Sequence, residues 1–186
     1  MLDRLVMTLP AALFLVVLFG GGALLRRRHI DMDGTPPIGK PLYLASKYSI
    51  IVLWAAAVSQ GWGLRLSPVA VRGPLARAAL GLWLVGFSLL FAGRFGLADS
   101  FRIGSAKEAT RLRVNGLFRF SRNPMYVGVY STLLAAVLYT LNPVLLLVAA
   151  FVVVVHHRIV LAEEQHLRGV LGKDYADYCG RVRRYL

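Results

Sequence analysis

The residues of this chain that can do chemistry fall in two strings. One is Gly116-Leu117-Phe118-Arg119-Phe120-Ser121-Arg122-Asn123-Pro124-Met125-Tyr126-Val127-Gly128, and the other starts at Glu163-Glu164 and runs on through Leu167, Gly172, Tyr175 and Tyr178. Asn123-Pro124 alone is an ordinary helix start, with Asn as N-cap and Pro at the first helical position. That does not account for Arg122. A guanidinium at the positive end of a helix is poorly placed unless an anion sits there, and the helix N-terminus and Arg122 together attract a carboxylate or phosphate. Tyr126 then offers a ring to stack on, and Gly128 lets a ligand approach the backbone. Glu163-Glu164 reads as a solvated face if taken as a bare charge run. In a chain with only 9 acids, two adjacent carboxylates can also hold an ammonium or ribose hydroxyls. Arg158, about one turn earlier, either reaches for lipid headgroups or points into the same site as Arg122. His156, His157 and His166 match neither His-Glu-x-x-His nor a four-ligand set, so no metal is expected.

Composition says what must position these residues. Of 186 residues 57% are apolar and 17% charged, against about 45–50% and about 25% in average globular chains. Lipid is therefore part of the solvent, and disorder is excluded. The single cysteine, Cys179, rules out an internal disulfide and a Cys-based metal cluster. A helical crossing needs roughly 20 mostly apolar residues, and at least about 17. Five segments qualify: 5–25, 42–63, 75–97, 124–140 and 142–161. The first ends at Arg26-Arg27-Arg28 without an Ala-x-Ala-like site, so it reads as a retained span, with Pro10 in its first turns. Its glycines, Gly20, Gly21 and Gly22, are expected to serve close helix packing. Lys47, Arg77, Arg94 and Arg158 lie near span ends, where each can snorkel.

Lys and Arg number 22 against 9 acids, a formal charge of +13. In a soluble chain this would suggest nucleic acid; here the charge sorts by loop, and no nucleic-acid partner is expected. Segments 26–41 and 98–123 and the tail beyond Arg158 are basic, whereas 64–74 carries only Arg65 and Arg72 and Leu141-Asn142-Pro143 carries no charge. By the positive-inside rule the N-terminus lies outside and the C-terminus in the cytoplasm, with Arg4 a mild counter-signal. The expected setting is the cytoplasmic membrane of a prokaryote. The expected fold is an all-α polytopic membrane protein, one domain of five transmembrane helices plus short C-terminal cytoplasmic amphipathic helices. Residues 1–74 supply the two N-terminal spans and 75–186 the half that carries the site. In 163–171, Leu167, Val170 and Leu171 share a face. Gly172 can close that helix in the left-handed conformation, and Asp174 can cap a second one with Tyr175 and Tyr178 at i, i+3.

A nucleotide-binding Gly-x-Gly-x-x-Gly, a P-loop and a Gly-x-Ser-x-Gly elbow are all missing. The combined pattern is instead Gly-x-Phe-Arg-x-Ser-Arg-Asn-Pro-Met-Tyr-x-Gly, an apolar hairpin, then Glu-Glu-x-x-Leu-x-x-x-x-Gly-x-x-Tyr-x-x-Tyr. Over about residues 91–186 it resembles the integral-membrane methyltransferases grouped with isoprenylcysteine carboxyl methyltransferase and phospholipid N-methyltransferase. The resemblance implies S-adenosylmethionine as cofactor, held between the final spans and the C-terminal helices. It implies that Asn123, Pro124, Tyr126 and Gly128 line the cofactor pocket beside Arg122, and that Glu163 and Glu164 bind the cofactor's polar groups. Arg122 and Arg158 are the expected catalytic residues, and Arg102, Tyr175 and Tyr178 are expected to meet the acceptor. Asn123 stands where the isoprenylcysteine enzymes have His in Arg-His-Pro. Asn-Pro-Met-Tyr and Phe91-Ala92-Gly93-Arg94-Phe95 are more similar to the phospholipid branch.

Methyl transfer from a sulfonium is an in-line displacement in which proximity and alignment supply much of the rate. A carboxylate acceptor is already nucleophilic at neutral pH, whereas an ammonium or thiol must first lose a proton. The expectation is that Arg122 or Arg158 orients an anionic acceptor or the cofactor carboxylate, with no obligatory general base. The acceptor, a lipid or other lipophilic molecule, stays open among phospholipid amines, prenylated or other carboxylates, and small thiols. The alternative is a non-enzymatic membrane protein whose basic loops bind anionic lipid, at about 1 kcal/mol per Lys or Arg, or a partner. A transporter lacks support, because no charge lies at mid-span and no inverted repeat is visible.

Overall fold

Helix termini in this chain sit where proline, asparagine and a left-handed turn put them. The computed structural model describes residues 1–27, 38–71, 73–97, 112 and 114–186. Arg102, expected to meet the acceptor, lies outside the described residues, as does most of both basic loops. The elements are α1 (Leu2–Arg27), α2 (Lys40–Gly61), α3 (Gly73–Leu97), a one-turn 3-10 helix (Gly116–Arg119), α4 (Pro124–Thr140) and α5 (Pro143–Arg181). Every element among the described residues is thus helical, as the apolar excess requires. α1, α2, α3 and α5 contain stretches long and apolar enough to cross a membrane. α4 is shorter, with 17 residues, about the least that spans the hydrocarbon core.

α4 begins at Pro124 and ends at Leu141, whose φ of 44° turns the chain back. Asn142 then caps α5: its Oδ1 accepts from the backbone N–H of Val144 (2.9 Å) and Leu145 (3.3 Å). Its Nδ2 donates to the Leu66 carbonyl (2.8 Å), tying this hairpin to the α2–α3 connection. α1 starts earlier than the apolar run suggests, at Leu2. Pro10 therefore falls in the third turn, inside the helix, where its missing N–H removes a hydrogen bond.

Between helices in lipid, close packing replaces the hydrophobic drive. α3 and α4 meet through glycines. A Cβ on Gly86 would lie 2.9 Å from the Gly128 carbonyl oxygen, and one on Gly128 would lie 2.8 Å from the Gly86 carbonyl oxygen. Gly93 leaves room for Met125 in the same way. The N-terminal helices add an aromatic cluster in which Phe14, Trp54, Trp83 and Phe87 pack edge to face or tilted. The Trp54 indole N–H donates to Thr132 Oγ1 (3.0 Å), a buried bond joining α2 to α4. Two expectations are corrected here. Gly20 meets nothing within 4 Å, and the surroundings of Gly21 and Gly22 lie outside what the structure describes; the glycines crowded by a neighbouring helix are Gly86, Gly93 and Gly128 of α3 and α4. Arg94 is buried at 8% exposure in the last turn of α3 and does not snorkel.

α5 is two helices meeting at a kink at Gly172, the second being the expected short helix that carries Tyr175 and Tyr178. The first runs unbroken from its apolar part into the amphipathic stretch, because no breaker separates them. The expected separate amphipathic helix at 163–171 is thus a continuation of that first part. At the kink Gly172 has φ 52° and ψ −122°, a positive φ that glycine tolerates. Beyond it, Tyr175, Tyr178 and Val182 form a second buried cluster with Leu112, Leu167, Leu171 and Cys179. Asp174 makes no capping hydrogen bond among the described residues, and the positive φ of Gly172 marks the turn.

Candidate functional site

The segment leading into α4 is stitched to the last residues of the chain. The Arg122 backbone N–H donates to the Arg183 carbonyl (2.9 Å). Ser121 Oγ donates to the Arg184 carbonyl (3.4 Å), as does Asn123 Nδ2 (3.1 Å). Asn123 occupies the N-cap of α4, yet its side chain makes no capping bond; its amide instead also reaches Glu164 Oε1 (3.4 Å).

Arg122 spends its donors inside the protein. Its Nε and Nη2 reach the Glu164 carboxylate at 3.1–3.3 Å, and Nη1 donates to the carbonyls of Cys179 (3.1 Å) and Val182 (2.9 Å). The anion that the sequence requires at this helix start is therefore Glu164, 42 residues away. Arg184 grips the same carboxylate from the tail through Nε (3.1 Å) and Nη2 (3.0 Å). Burial pushes the Glu164 carboxyl up, but hydrogen bonds and charge from Arg184 and Arg122 outweigh it and hold the group below its ordinary value. Bidentate guanidinium pairs of this kind are the strong ones.

Glu163 has the opposite surroundings. Its carboxylate accepts from the Tyr126 hydroxyl at 3.2 and 3.3 Å, and no Lys or Arg among the described residues pairs with it. Burial pushes its carboxyl up to about 7, against the pull of the Tyr126 hydrogen bond. The His156 ring stands edge-on to Tyr126 with centroids 5.6 Å apart. His156 is 8% exposed, and its Nδ1 has no hydrogen-bond partner among the described residues. From Tyr126 the rings continue to Tyr130 and then Tyr185, whose hydroxyl lies 2.8 Å from His157 Nδ1.

The structure thus brings Arg122, Asn123 and Glu164 into one cluster and Tyr126 and Glu163 into a second beside it. Pro124 is buried at the helix start. Gly128 turns to α3, so the backbone it lets approach is that of Gly86. Tyr175 and Tyr178 are buried in the C-terminal cluster, and the Tyr178 hydroxyl donates to the Phe118 carbonyl (2.5 Å). Arg158 is exposed on α5, apart from both clusters. A cavity of about 340 Å³ opens between the end of α3 and the 3-10 turn, against Ala92, Gly96, Phe118 and Phe120. Arg184, Tyr185 and His156 escaped sequence reasoning as site residues. Arg183-Arg184 read as topological charge, and only the concentration of polar residues at the chain's end pointed toward them.

These features define a polytopic helical membrane protein with a buried polar cluster where α4 begins and the apolar part of α5 ends. The sequence pattern of the phospholipid methyltransferase family matches residues 72–174, more than half of the chain, and the chain belongs to that family. It is a membrane methyltransferase of the phospholipid type. The match takes in Arg122, Tyr126, Glu163 and Glu164 and stops short of the tail that bonds Arg122 and Glu164. No curated protein and no solved structure matches the chain.

Proposed function

We propose that this chain moves a methyl group from S-adenosylmethionine to a lipophilic acceptor at the cytoplasmic membrane face, with its N-terminus outside. The observation that carries this reading is Glu163, a carboxylate with no cation partner among the described residues, which accepts from the hydroxyl of Tyr126, whose ring in turn meets His156, a histidine with an unpartnered Nδ1. A cationic, hydroxyl-rich cofactor suits that donor set, since a carboxylate accepts from hydroxyls and an aromatic face attracts a cation. When bound, the cofactor supplies an electrophilic methyl group on a sulfonium. Glu163, Tyr126 and His156 form the wall that meets ligand. Glu164, Arg122, Asn123 and Arg184 act behind it as positioning residues, holding the start of α4 so that Tyr126 faces Glu163. Arg158, exposed near the membrane boundary, is assigned to the phosphates of the bilayer.

The basic-loop reading explains none of this, because lipid attraction requires neither a carboxylate paired only with a tyrosine hydroxyl among the described residues nor a buried histidine with an unpartnered Nδ1. Calorimetric titration of the full-length protein with S-adenosylhomocysteine separates the two. Binding at one site is expected; absence of binding both in detergent and in bilayers contradicts the enzyme reading.

A further inference from the structure

We propose that the cavity between the end of α3 and the 3-10 turn binds an anionic phospholipid of the bilayer, with part of an acyl chain in the slot and the phosphate on Arg119. This lipid is bound and not methylated, and its site is separate from the one assigned to S-adenosylmethionine.

The walls of the slot follow from the sequence. On α3, Ala92 and Gly96 fall at i, i+4 on an exposed face, where their small size leaves the helix surface shallow. Opposite them stands the turn Gly116–Arg119, entered through Gly116 at φ 62°. Phe118 forms the facing wall, since a Cβ on Gly96 would lie 3.8 Å from its Cε2. The Phe118 carbonyl accepts from the Tyr178 hydroxyl (2.5 Å), which ties the turn to the C-terminal cluster. The space measures about 340 Å³, at the small end of ligand pockets, which run from about 300 to 1,000 Å³. It therefore takes one limb of a lipid and leaves the rest in the bilayer.

Charge at the mouth selects the headgroup. Arg119 and Asn115 carry the only polar side chains among the lining residues. The Arg119 guanidinium lies over the Phe120 ring, 4.5 Å from its centre, and no carboxylate of the described residues pairs with it. Phe120 lies outside the helices and is 61% exposed. An exposed ring beneath a cation suits the boundary where lipid tails give way to headgroups. Depth agrees: the apolar stretch of α3 ends at Gly96, and α4 begins at Pro124, five residues after Arg119. A guanidinium at that level takes a phosphate through charge-assisted hydrogen bonds. No acid of the described residues lines the slot, so the ammonium of a zwitterionic headgroup finds no partner there, and a net-anionic headgroup is favoured. The start of α4 separates this slot from the Glu163 cluster: Met125 packs against Gly93 of α3, whereas Tyr126 turns to Glu163 of α5.

The test uses full-length protein in phosphatidylcholine bilayers containing phosphatidylglycerol, which has no amine to methylate. Native mass spectrometry counts the lipid that stays on the released protein. Wild type is expected to keep phosphatidylglycerol in preference to phosphatidylcholine. Arg119→Gln is expected to keep about fivefold less, the worth of one cation at a lipid surface. Ala92→Phe, whose ring fills the slot, is expected to lose the lipid. Arg119→Gln, a change to an exposed side chain, is expected to unfold at the wild-type temperature and to bind S-adenosylhomocysteine as wild type does. The proposal is overturned if both variants keep the wild-type amount, or if phosphatidylcholine is held as well as phosphatidylglycerol. It is overturned too if no lipid stays and inorganic phosphate binds instead in an Arg119-dependent way, which makes the ligand a free phosphate. Loss of S-adenosylhomocysteine binding in Arg119→Gln would put the slot in the cofactor site and sink the proposal. Wild-type protein that keeps its lipid and binds no S-adenosylhomocysteine supports the lipid site and contradicts the enzyme reading alone.

Discussion

Replacing Arg122 by alanine is expected to release the C-terminal tail, destabilise the protein and abolish methyl transfer. The Arg122 side chain is 9% exposed and its partner Glu164 6%. Its removal leaves a buried carboxylate half compensated and the carbonyls of Cys179 and Val182 without their guanidinium donor. Breaking a buried pair from one side typically costs about 3–5 kcal/mol. Arg184, on the other side of Glu164, is 34% exposed, so Arg184→Ala is expected to cost less. Arg122→Lys should rescue only in part, because a point charge cannot span a carboxylate and two carbonyls as a planar fork does. Thermal unfolding in micelles and limited proteolysis of the tail provide the measurement. An Arg122→Ala protein with a protected tail, bound cofactor and normal turnover would remove Arg122 from the site.

Gly128→Ala is expected to push α3 and α4 apart. The new Cβ would sit 2.8 Å from the Gly86 carbonyl oxygen and 3.1 Å from side-chain atoms of Leu89 and Leu90. The oxygen is backbone and cannot rotate away, so a helix must move. Overpacking of this kind costs about 1–3 kcal/mol. The larger effect is on activity, since α4 carries Tyr126 and follows directly on Arg122 and Asn123. A displacement on the order of 1 Å can cost about 10²-fold in rate. Gly20→Ala is the control: nothing lies within 4 Å of its Cβ, and alanine favours a helix over glycine by roughly 0.5–1 kcal/mol. The measurement compares unfolding temperature and labelled methyl transfer for the two variants. If Gly128→Ala behaves as Gly20→Ala does, the glycine contact does not set the site.

Local signals gave the helices, and long-range pairing was hidden. The start of α4 at Pro124 and the break at Gly172 follow from residues whose backbone preferences act within a few positions. Arg122 was legible as a cation needing an anion, but nothing local says that the anion is Glu164 on α5. The same holds for the tail: Arg184 and Tyr185 look like topological charge and a terminal aromatic until folding places them beside Glu164 and His157. Gly128 and Gly20 are indistinguishable in a hydropathy profile. Only the packing of α3 on α4 shows that one is crowded and the other open. Glu163 and Glu164 read as an equivalent pair, yet the 100° rotation between successive helix residues sends one to two guanidiniums and the other to a tyrosine.

The most direct measurement of the central claim is transfer itself. Purified full-length protein in bilayers of mixed phospholipid, supplied with methyl-labelled S-adenosylmethionine, is expected to place label in the extracted lipid. Label no greater than in the heat-denatured control, with protein that is folded and correctly inserted, would contradict the account.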